Sequence, residues 1–320
     1  MKKVIFDTDI GIDDAMALLF LHYSEDVELQ AITSGFGNAD IETTTRNALY
    51  IKECFGIEVP VYRGAGEPTG ERLGEGYPDF VHGSNGLGDI EILEPTSQVG
   101  DLPGPDAIVE IVKTNPGEIS IVAVGRLTNL ALALDLCPEL PELVKEVVVM
   151  GGAFGFNGHS GNVSPVAEAN IAGDPQAADK VFTSGLPVTI VGLDVTQETI
   201  ANDQFFESLK ANSGKAGEFV YRISRFYLDF HERVTGAYAC PVHDSSAVAF
   251  LLNPYLYRTK VAAVRVVTEG IAIGQTIAGD PDADYESSSW KDHSTCRICT
   301  GVDADSVLEL YAETLARAAL

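Results

Sequence analysis

The feature that most constrains the fold is the alternation of short apolar runs with helical patterns over the first two thirds of the chain. Six runs rich in β-branched residues are predicted strands, at 4–6, 29–33, 59–62, 119–124, 147–150 and 188–193. Five segments between them have helical periodicity, at 13–23, 41–55, 106–114, 129–136 and 175–184. Strands that alternate with helices form βαβ units and a parallel sheet, and nearly continuous apolar strands are typical of a sheet covered on both faces. We therefore predict one α/β domain over residues 1–320, with a Rossmann-like, mostly parallel central sheet flanked by helices.

The last third of the chain and two long internal stretches have other patterns. The last third predicts helices at 217–232 and 243–252, a hairpin of 260–268 with 270–277, a strand near 295–301 and a closing helix at 306–319. Two glycine-rich stretches, 63–104 and 151–173, have little periodicity. Because structureless loops of that length in a compact domain are usually functional, we expect both stretches to cover the site.

The charge balance indicates which partners to expect. Asp and Glu total 47 against 21 Lys and Arg, which gives a net charge of −26. Such a field repels nucleic-acid polymers and anionic membranes, so a small molecule is the expected ligand. No apolar run is long enough to cross a bilayer, and the first acid, Asp7, comes too early for a secretory signal. We expect a cytoplasmic protein.

Five scattered cysteines are an odd number and do not form a disulfide framework. Cys296 and Cys299 have the spacing of a metal site, with His293 just upstream. However, this segment has the pattern of a strand, in which residues three apart point to opposite faces. We therefore expect free thiols rather than a zinc site.

Polar residues and glycines follow the predicted strands at the point where each strand ends. These are Asp7 and Asp9, the segment 35–38, Gly125, the pair Gly151-Gly152, and Asp194. In an open parallel sheet, ligands bind outside the carboxyl ends of the strands. We therefore expect these five turns to meet at one edge of the sheet and to form the site.

Four aspartates crowd the turn between the first strand and the first helix: Asp7, Asp9, Asp13 and Asp14. Like charges this close cannot all be ionised without a compensating cation. Several carboxylates with a backbone carbonyl suit calcium better than magnesium. Gly11 allows the tight turn.

Three competing hypotheses for this acidic turn differ in what they require. An acidic helix cap without a metal explains one or two acids but hardly four. An EF-hand fails because no Glu closes a twelve-residue loop and because the turn follows a strand. A magnesium-dependent phosphatase of the haloacid dehalogenase type, with Asp-x-Asp after its first strand, stays open as an alternative. It predicts basic residues to hold phosphate, whereas the matching turns here supply mainly Asn, Gly and Thr.

Further candidate residues are ambiguous when each is taken alone. His243 and Asp244 open a helical pattern and suit either an acid–base group beside a metal ligand or a capped helix. His82 lies in the first long stretch, where a histidine is usually just solvated. The second stretch has three residues that suit either sugar hydroxyls or turns: Asn162, Glu168 and Asn170.

In combination, these residues resemble the inosine–uridine-preferring nucleoside hydrolase family. Residues 7–15, Asp-Thr-Asp-Ile-Gly-Ile-Asp-Asp-Ala, are similar to that family's Asp-x-Asp-Pro-Gly-x-Asp-Asp-Ala signature. Further matches follow in order at 37–38, 45–48, 81–83, 125–129, 149–152, 167–171, 174–175, 192–196 and 242–244. The similarity spans residues 3 to about 280, and 281–300 carries no motif of the family.

The resemblance implies hydrolysis of the N-glycosidic bond of purine or pyrimidine ribonucleosides to free base and ribose by a calcium-activated water. It implies one Ca²⁺ per subunit with four ligands: Asp9, Asp14, the carbonyl of Val124, and Asp244. Asp9 would also be the base that activates the water, and Asp7 would brace the turn. The ribose hydroxyls would be held by five residues: Asp13, Asn38, Asn162, Glu168 and Asn170. His243 would help the base to leave, with His82 and His231 on the base side.

Three positions depart from the family pattern. Ile10 stands where Pro is usual, Ala169 replaces a common aromatic residue, and His231 occupies a position that is often aromatic. The last two leave the preferred base open. The resemblance also implies a homodimer or homotetramer. A nucleoside-binding protein without turnover is a further alternative.

Overall fold

A nine-stranded sheet runs through the centre of the protein, which the computed structural model describes over residues 1–71, 76–290 and 294–319. The strands of this sheet are β1 (Lys2–Thr8), β2 (Val27–Ser34), β3 (Val61–Arg63), β4 (Ile119–Ala123), β5 (Glu146–Met150), β6 (Val188–Val191), β9 (Tyr257–Val266), β10 (Thr276–Gly279) and β11 (Thr295–Val302). A separate antiparallel pair consists of β7 (Ile200–Asn202) and β8 (Ala239–Pro241). The order across the large sheet is β10-β9-β11-β6-β5-β4-β1-β2-β3. All neighbours from β11 to β3 are parallel, and β9 and β10 extend the sheet in antiparallel fashion.

Helices lie between and beyond the strands. In the described ranges they are α1 (Ile12–Tyr23), α2 (Ile41–Phe55), α3 (Asp79–His82), α4 (Gly104–Thr114), α5 (Thr128–Leu136), α6 (Leu140–Leu143), α7 (Ala169–Gly173), α8 (Pro175–Thr183), α9 (Leu193–Thr196), α10 (Asp203–Asn212), α11 (Gly214–Thr235), α12 (His243–Leu252) and α13 (Ala304–Ala316). No helix of this set is both long and apolar enough to cross a bilayer.

Two hydrophobic cores cover the two faces of the sheet. Side chains alternate between the faces of a strand, and β1 accordingly sends Val4 and Phe6 into one core and Ile5 into the other. β4, β5 and β6 are buried almost throughout, which is why their sequences are nearly continuous apolar runs. The predicted α/β fold with a mostly parallel, helix-flanked sheet is confirmed.

The strand register aligns the ends that carry the predicted site. Asp7 in β1 lies opposite Thr33 in β2 and Ala123 in β4. Ala123 in turn pairs with Val149 in β5. Because the strands are parallel, the turns that follow β1, β2, β4 and β5 emerge side by side at one edge.

Several predicted bounds differ from the structure. The second strand of the hairpin begins at Thr276 rather than at 270, because residues 270–275 form the turn. β6 stops at Val191, and a short helix, α9, follows it. The sequence patterns also missed the ten-residue helix α10 and the strands β7 and β8, which have three residues each.

The cysteine pair lies on opposite faces of β11, as the strand pattern predicts. Cys299 belongs to the core that contains Val4, and Cys296 belongs to the core that contains Ile5. Burial raises the pKa of the Cys296 thiol to about 12. His293 lies outside the described residues.

Removing a buried side chain from β11 should destabilise the whole sheet, because this strand joins the parallel part to the antiparallel part. Ile298 is fully buried. We expect Ile298→Ala to lower the free energy of unfolding by about 2–5 kcal/mol through the cavity it leaves. Ile271→Ala is the matched control, since Ile271 is fully exposed, and it should change stability by no more than about 0.5 kcal/mol. Urea denaturation measures both, and equal effects would contradict the assignment of β11 to the core.

Candidate active site

The turn between β1 and α1 is organised by the carboxylate of Asp14, which folds back over it. Asp14 Oδ2 accepts from Gly11 N at 2.9 Å and from Asn38 Nδ2 at 2.7 Å. Asp14 Oδ1 accepts from Thr8 Oγ1 at 2.6 Å and from Asp9 N at 3.2 Å. Four donors from two loops therefore fix this buried carboxyl group in place.

Asp7 lies below the turn and braces it. Its carboxylate accepts from the Thr33 hydroxyl and from Asn129 Nδ2, the latter at 2.8 Å. Asn129 also donates to the carbonyl of Ser34 at 3.0 Å, so one side chain joins the ends of β1 and β2. Burial raises the pKa of Asp7 to about 6 despite these bonds.

Asp9 is enclosed by two loops that approach it closely at glycines. A Cβ on Gly37 would lie 1.8 Å from Asp9 Oδ2, and a Cβ on Gly125 would lie 2.6 Å from Asp9 Oδ1. Asn38 N donates to Oδ2 at 2.8 Å. Among the described residues, Oδ1 is buried and has no hydrogen-bond partner. One oxygen of Asp9 is thus anchored and the other is available to a ligand.

An acidic cluster forms where the first turn of α12 meets the first turn of α1. Asp13, Asp14 and Asp244 each offer a carboxylate oxygen, and these three oxygens lie within 4.8 Å of one another. Burial, and next the charge of Asp14, raise the pKa of Asp13 to about 8. Burial likewise holds the pKa of Asp9 and of Asp244 well above the usual range, with neighbouring aspartates adding to it.

A hard cation fits this cluster. Its donors are all oxygens, as Ca²⁺ and Mg²⁺ require. Asp13 Oδ1, like Asp9 Oδ1, is buried without a hydrogen-bond partner in the described part of the chain. Since buried polar atoms are normally satisfied, these orphaned oxygens indicate a ligand that binds among the aspartates.

A second group of polar residues comes from the N-terminus of α7. Glu168 caps this helix and accepts from Asn170 N at 2.8 Å, Ile171 N at 3.1 Å and Gly152 N at 2.9 Å. Asn170 Nδ2 donates to the carbonyl of Val124 at 2.7 Å, which ties α7 to the end of β4. Burial raises the pKa of Glu168.

Asn162 and Asp194 make contacts that the sequence patterns did not foresee. Asn162 is exposed, and its Oδ1 accepts from Ala169 N at 3.0 Å. The Asp194 carboxylate accepts from Phe154 N at 2.9 Å and Phe156 N at 2.6 Å. The turn that contains Asp194 does meet the turn after β5, because Leu193 N donates to the carbonyl of Gly152 at 2.9 Å. The Asp194 carboxylate itself holds the backbone of the second long stretch.

Three histidines and a tyrosine form the other side of the site. His82 lies in α3 and stacks on Tyr227 with ring centroids 5.9 Å apart, and His231 meets the same tyrosine edge-on at 4.6 Å. Burial lowers the pKa of His82 and of His231 to about 4. Burial, and next the two other imidazoles, lower the pKa of His243 to about 3. All three imidazoles are therefore neutral at pH 7, so the approach of His82 to Asp13 at 3.9 Å is not an ion pair.

The two long stretches, 63–104 and 151–173, supply residues both to the histidine side of the candidate site and to the polar group at α7. The first stretch contributes His82, and the second contributes Glu168 and Asn170. The first stretch is also tied to the residue that directly follows the second one, because the backbone N and hydroxyl of Thr69 donate to the Asp174 carboxylate at 2.7 and 2.8 Å. Residues 72–75 of the first stretch lie outside the described ranges.

Sequence reasoning missed three residues of this region. Arg126 packs its guanidinium 4.4 Å from the Phe36 ring, and its positive charge opposes the rise in pKa of Asp9 and Glu168. Tyr227 precedes His231 by one helical turn of α11, a spacing that the sequence does show. Thr196 lies 2.8 Å from His243 through its hydroxyl, and no local sequence signal predicts that contact.

Comparisons with known proteins agree on one family. The profile described as inosine-uridine preferring nucleoside hydrolase matches residues 4–309. Uridine nucleosidase 1 of Arabidopsis thaliana is 39% identical over 313 residues, which cover 96% of this chain and 91% of that protein.

Solved structures agree with the sequence comparison. A plant nucleoside hydrolase superposes with a TM-score of 0.94 at 36% identity, covering 98% of this chain and 99% of that one. A purine-preferring ribonucleoside hydrolase from Gardnerella vaginalis superposes with a TM-score of 0.91 at 33% identity, covering 100% of both chains.

The raised carboxyl pKa values predict how stability depends on pH when no cation is bound. An acid whose pKa is higher in the folded protein than in the unfolded chain keeps its proton up to a higher pH in the folded state. The free energy of unfolding therefore decreases as pH rises toward the folded pKa. Asp13, with a pKa raised from 3.8 to about 8, loses its proton in the folded protein near that pH. The histidines, whose pKa values are lowered from 6.5, act in the opposite direction and chiefly below that value.

We therefore expect the Tm of chelator-treated protein to fall from about pH 7 to about pH 8.5, and saturating Ca²⁺ to raise Tm most at the upper end. Asp13→Asn should flatten the slope. Thermal unfolding followed by fluorescence measures this, and a metal-free Tm that stays constant or rises over this interval would contradict it.

Proposed function

The chain belongs to the inosine-uridine preferring nucleoside hydrolase family, and from this we propose that it hydrolyses the N-glycosidic bond of ribonucleosides to free base and ribose with a water activated at a calcium site. As a nucleoside hydrolase it needs a site that favours positive charge on the sugar and assists the departing base. The observation that carries the proposal is the buried cluster of aspartates with orphaned oxygens at the carboxyl edge of the sheet.

We assign the cation to Asp9, Asp14, Asp244 and the carbonyl of Val124. The all-oxygen donor set and the carboxylates from two helices support calcium, which accepts many oxygens in flexible geometry. Asp13 contributes an oxygen to the same cluster, and we assign it instead to the ribose hydroxyls, as the family resemblance implies. A divalent cation bound there supplies Lewis acidity that lowers the pKa of a water molecule.

Asp9 is the proposed general base. Its Oδ2 is held by Asn38 N at 2.8 Å, so the carboxylate has a fixed orientation. Its Oδ1 has no hydrogen-bond partner among the described residues and is available to accept a proton from water. General base catalysis of this kind contributes about 10²–10⁴-fold.

The ribose is proposed to lie between the aspartates and α7. Five side chains would hold its hydroxyls: Asp13, Asn38, Asn162, Glu168 and Asn170. Of these, Glu168 and Asp13 are buried carboxyl groups, which favour an oxocarbenium-like sugar over a neutral one. The exposure of Asn162 means that this residue would contact the sugar only from the rim.

The base is proposed to lie against His82, His231 and His243. Because burial keeps these imidazoles neutral, they act as hydrogen-bond donors rather than as imidazolium acids. A donor of this kind stabilises negative charge that develops on the base as the bond breaks.

The phosphatase alternative needs cations around a phosphate. Arg126 carries a positive charge that lowers the pKa of Asp9 and of Glu168, and its guanidinium packs over the Phe36 ring. Phosphate release from nucleoside monophosphates without release of reducing sugar would favour that alternative, and nucleoside binding without any turnover would favour a binding protein.

The preferred base stays open because the relatives differ. The Arabidopsis relative is named for uridine and the Gardnerella structure for purines. Initial rates with inosine, adenosine, guanosine, uridine and cytidine decide the question. One domain over residues 1–320, a homodimer or homotetramer and a cytoplasmic location stay predictions of the sequence.

Asp9→Asn tests the proposed base. We expect kcat for nucleosides to fall by at least about 10²-fold, while nucleoside binding largely survives because the amide still accepts from Asn38 N. Steady-state kinetics and calorimetric titration with nucleoside measure the two quantities. Asp305→Asn, on the exposed first turn of α13, is the matched control, and near-normal turnover by Asp9→Asn would remove Asp9 as the base.

Removal of the metal tests the cation. Protein treated with chelator should release no reducing sugar from uridine or inosine, and added Ca²⁺ should restore release, with Mg²⁺ less effective because it demands regular octahedral geometry. Full activity after the metal content has been reduced to background by chelation would exclude a cation-dependent reaction.

A further inference from the structure

Thr196 packs against His243, and we propose that its hydroxyl is a positioning group that holds His243 in the tautomer with hydrogen on Nε2. In this tautomer Nε2 can donate to the departing base. The inference rests on the proposed function in one respect, namely that His243 faces the base. It adds to that function a residue that touches neither substrate nor metal.

The contact between Thr196 and His243 is short, and a backbone hydrogen bond nearby fixes the two segments that carry these residues. Thr196 Oγ1 and His243 Nδ1 are 2.8 Å apart, and Thr196 is fully buried at the end of α9. Val242 N donates to the carbonyl of Thr199 at 2.8 Å, just before His243 and just after Thr196. This backbone bond fixes the segment that enters α12 against the segment that leaves α9, so the two side chains meet in one geometry.

The direction of the hydrogen bond follows from the partners of the hydroxyl. Among the described residues, Thr196 Oγ1 has no hydrogen-bond partner other than His243 Nδ1. A buried hydroxyl that lacked an acceptor would leave its hydrogen unsatisfied, which is costly. The hydroxyl therefore donates, Nδ1 accepts, and the ring carries its hydrogen on Nε2.

His82 has the same tautomer for an independent reason. Its Nδ1 accepts from Ile12 N at 3.2 Å, and a backbone N–H can only donate. Ile12 is the first residue of α1, so the imidazole satisfies one of the amide groups that a helix N-terminus leaves without a partner. Two histidines on the base side thus carry hydrogen on Nε2.

This arrangement selects a class of leaving group. As the N-glycosidic bond breaks, negative charge develops on the ring nitrogens and carbonyl oxygens of the base, and N–H donors stabilise it. The site therefore suits nucleosides whose base presents an acceptor toward the histidines. A leaving group that departs readily without assistance, such as p-nitrophenolate, gains little from such donors.

Three variants separate the hydroxyl from the shape of the side chain. Thr196→Val keeps the volume and removes the donor, whereas Thr196→Ser keeps the donor. Thr314→Val is the matched control, because Thr314 is also a buried threonine and lies on α13, which supplies no residue to the proposed site.

Kinetics with uridine, inosine and p-nitrophenyl riboside provide the first readout. For the nucleoside that the wild-type enzyme cleaves, we expect Thr196→Val to lower kcat at least about 10-fold. The same variant should change kcat for p-nitrophenyl riboside less than about twofold. Thr196→Ser should restore nucleoside turnover, and Thr314→Val should match wild type on all substrates. Equal losses by Thr196→Val on nucleoside and p-nitrophenyl riboside would overturn the proposal, as would an unchanged rate on the nucleoside.

Nitrogen-15 NMR of the imidazoles provides a readout that is independent of turnover. Wild type should show His243 with Nδ1 unprotonated and Nε2 protonated, and Thr196→Val should show a mixture of tautomers. A wild-type His243 with hydrogen on Nδ1 would overturn the proposal even if the enzyme is active. If wild type cleaves none of the three ribosides, the proposed function fails, and the NMR result still decides the tautomer by itself.

Discussion

Burial of several carboxyl groups at one edge of the sheet is the constraint on which the rest of this structure depends. Asp9, Asp13, Asp14 and Asp244 are all buried. For Asp9, Asp13 and Asp244, desolvation together with the charge of neighbouring aspartates opposes ionisation. Two features of the structure compensate for this burial. Donors from two loops surround Asp14, and orphaned oxygens of Asp9 and Asp13 leave room for a cation. The glycines at 37 and 125 follow from this, because any side chain there would displace Asp9.

The same desolvation acts in the opposite direction on the base side. An acid in a dry site keeps its proton, whereas an imidazole loses it. The pKa values of His82, His231 and His243 are lowered for this reason. The structure therefore combines a group of buried carboxyl groups, which could hold a cation, with three imidazoles whose pKa values are lowered. Under the proposed function, the carboxyl groups would favour positive charge on the sugar and the imidazoles would donate hydrogen bonds to the departing base.

Much of this arrangement could be predicted from local sequence. The aspartates from 7 to 14 lie within one turn, so their crowding is visible in the chain itself. The apolar runs predicted the parallel strands because a strand covered on both faces has no polar positions to interrupt it. Glu168 could be recognised only as a candidate, because a carboxyl group before a short helix is equally a cap, and it is indeed the cap of α7. The short strands β7 and β8 were missed because three residues carry no usable periodicity.

The sequence by itself determined that strands and helices alternate, that an acidic turn follows the first strand, and which family the chain resembles. Each of these depends on residues that are close in the chain. Only the tertiary structure decided which distant side chains meet. Asp244 joins Asp13 and Asp14 through the placement of α12 against α1, Arg126 lies behind Phe36, and Thr196 reaches His243 across 47 residues. The Asp194 carboxylate accepts from the backbone amides of Phe154 and Phe156, which follow β5 rather than β6. The physical reason is that side-chain direction, burial and hydrogen-bond partners arise from packing between elements, and a local pattern does not contain them.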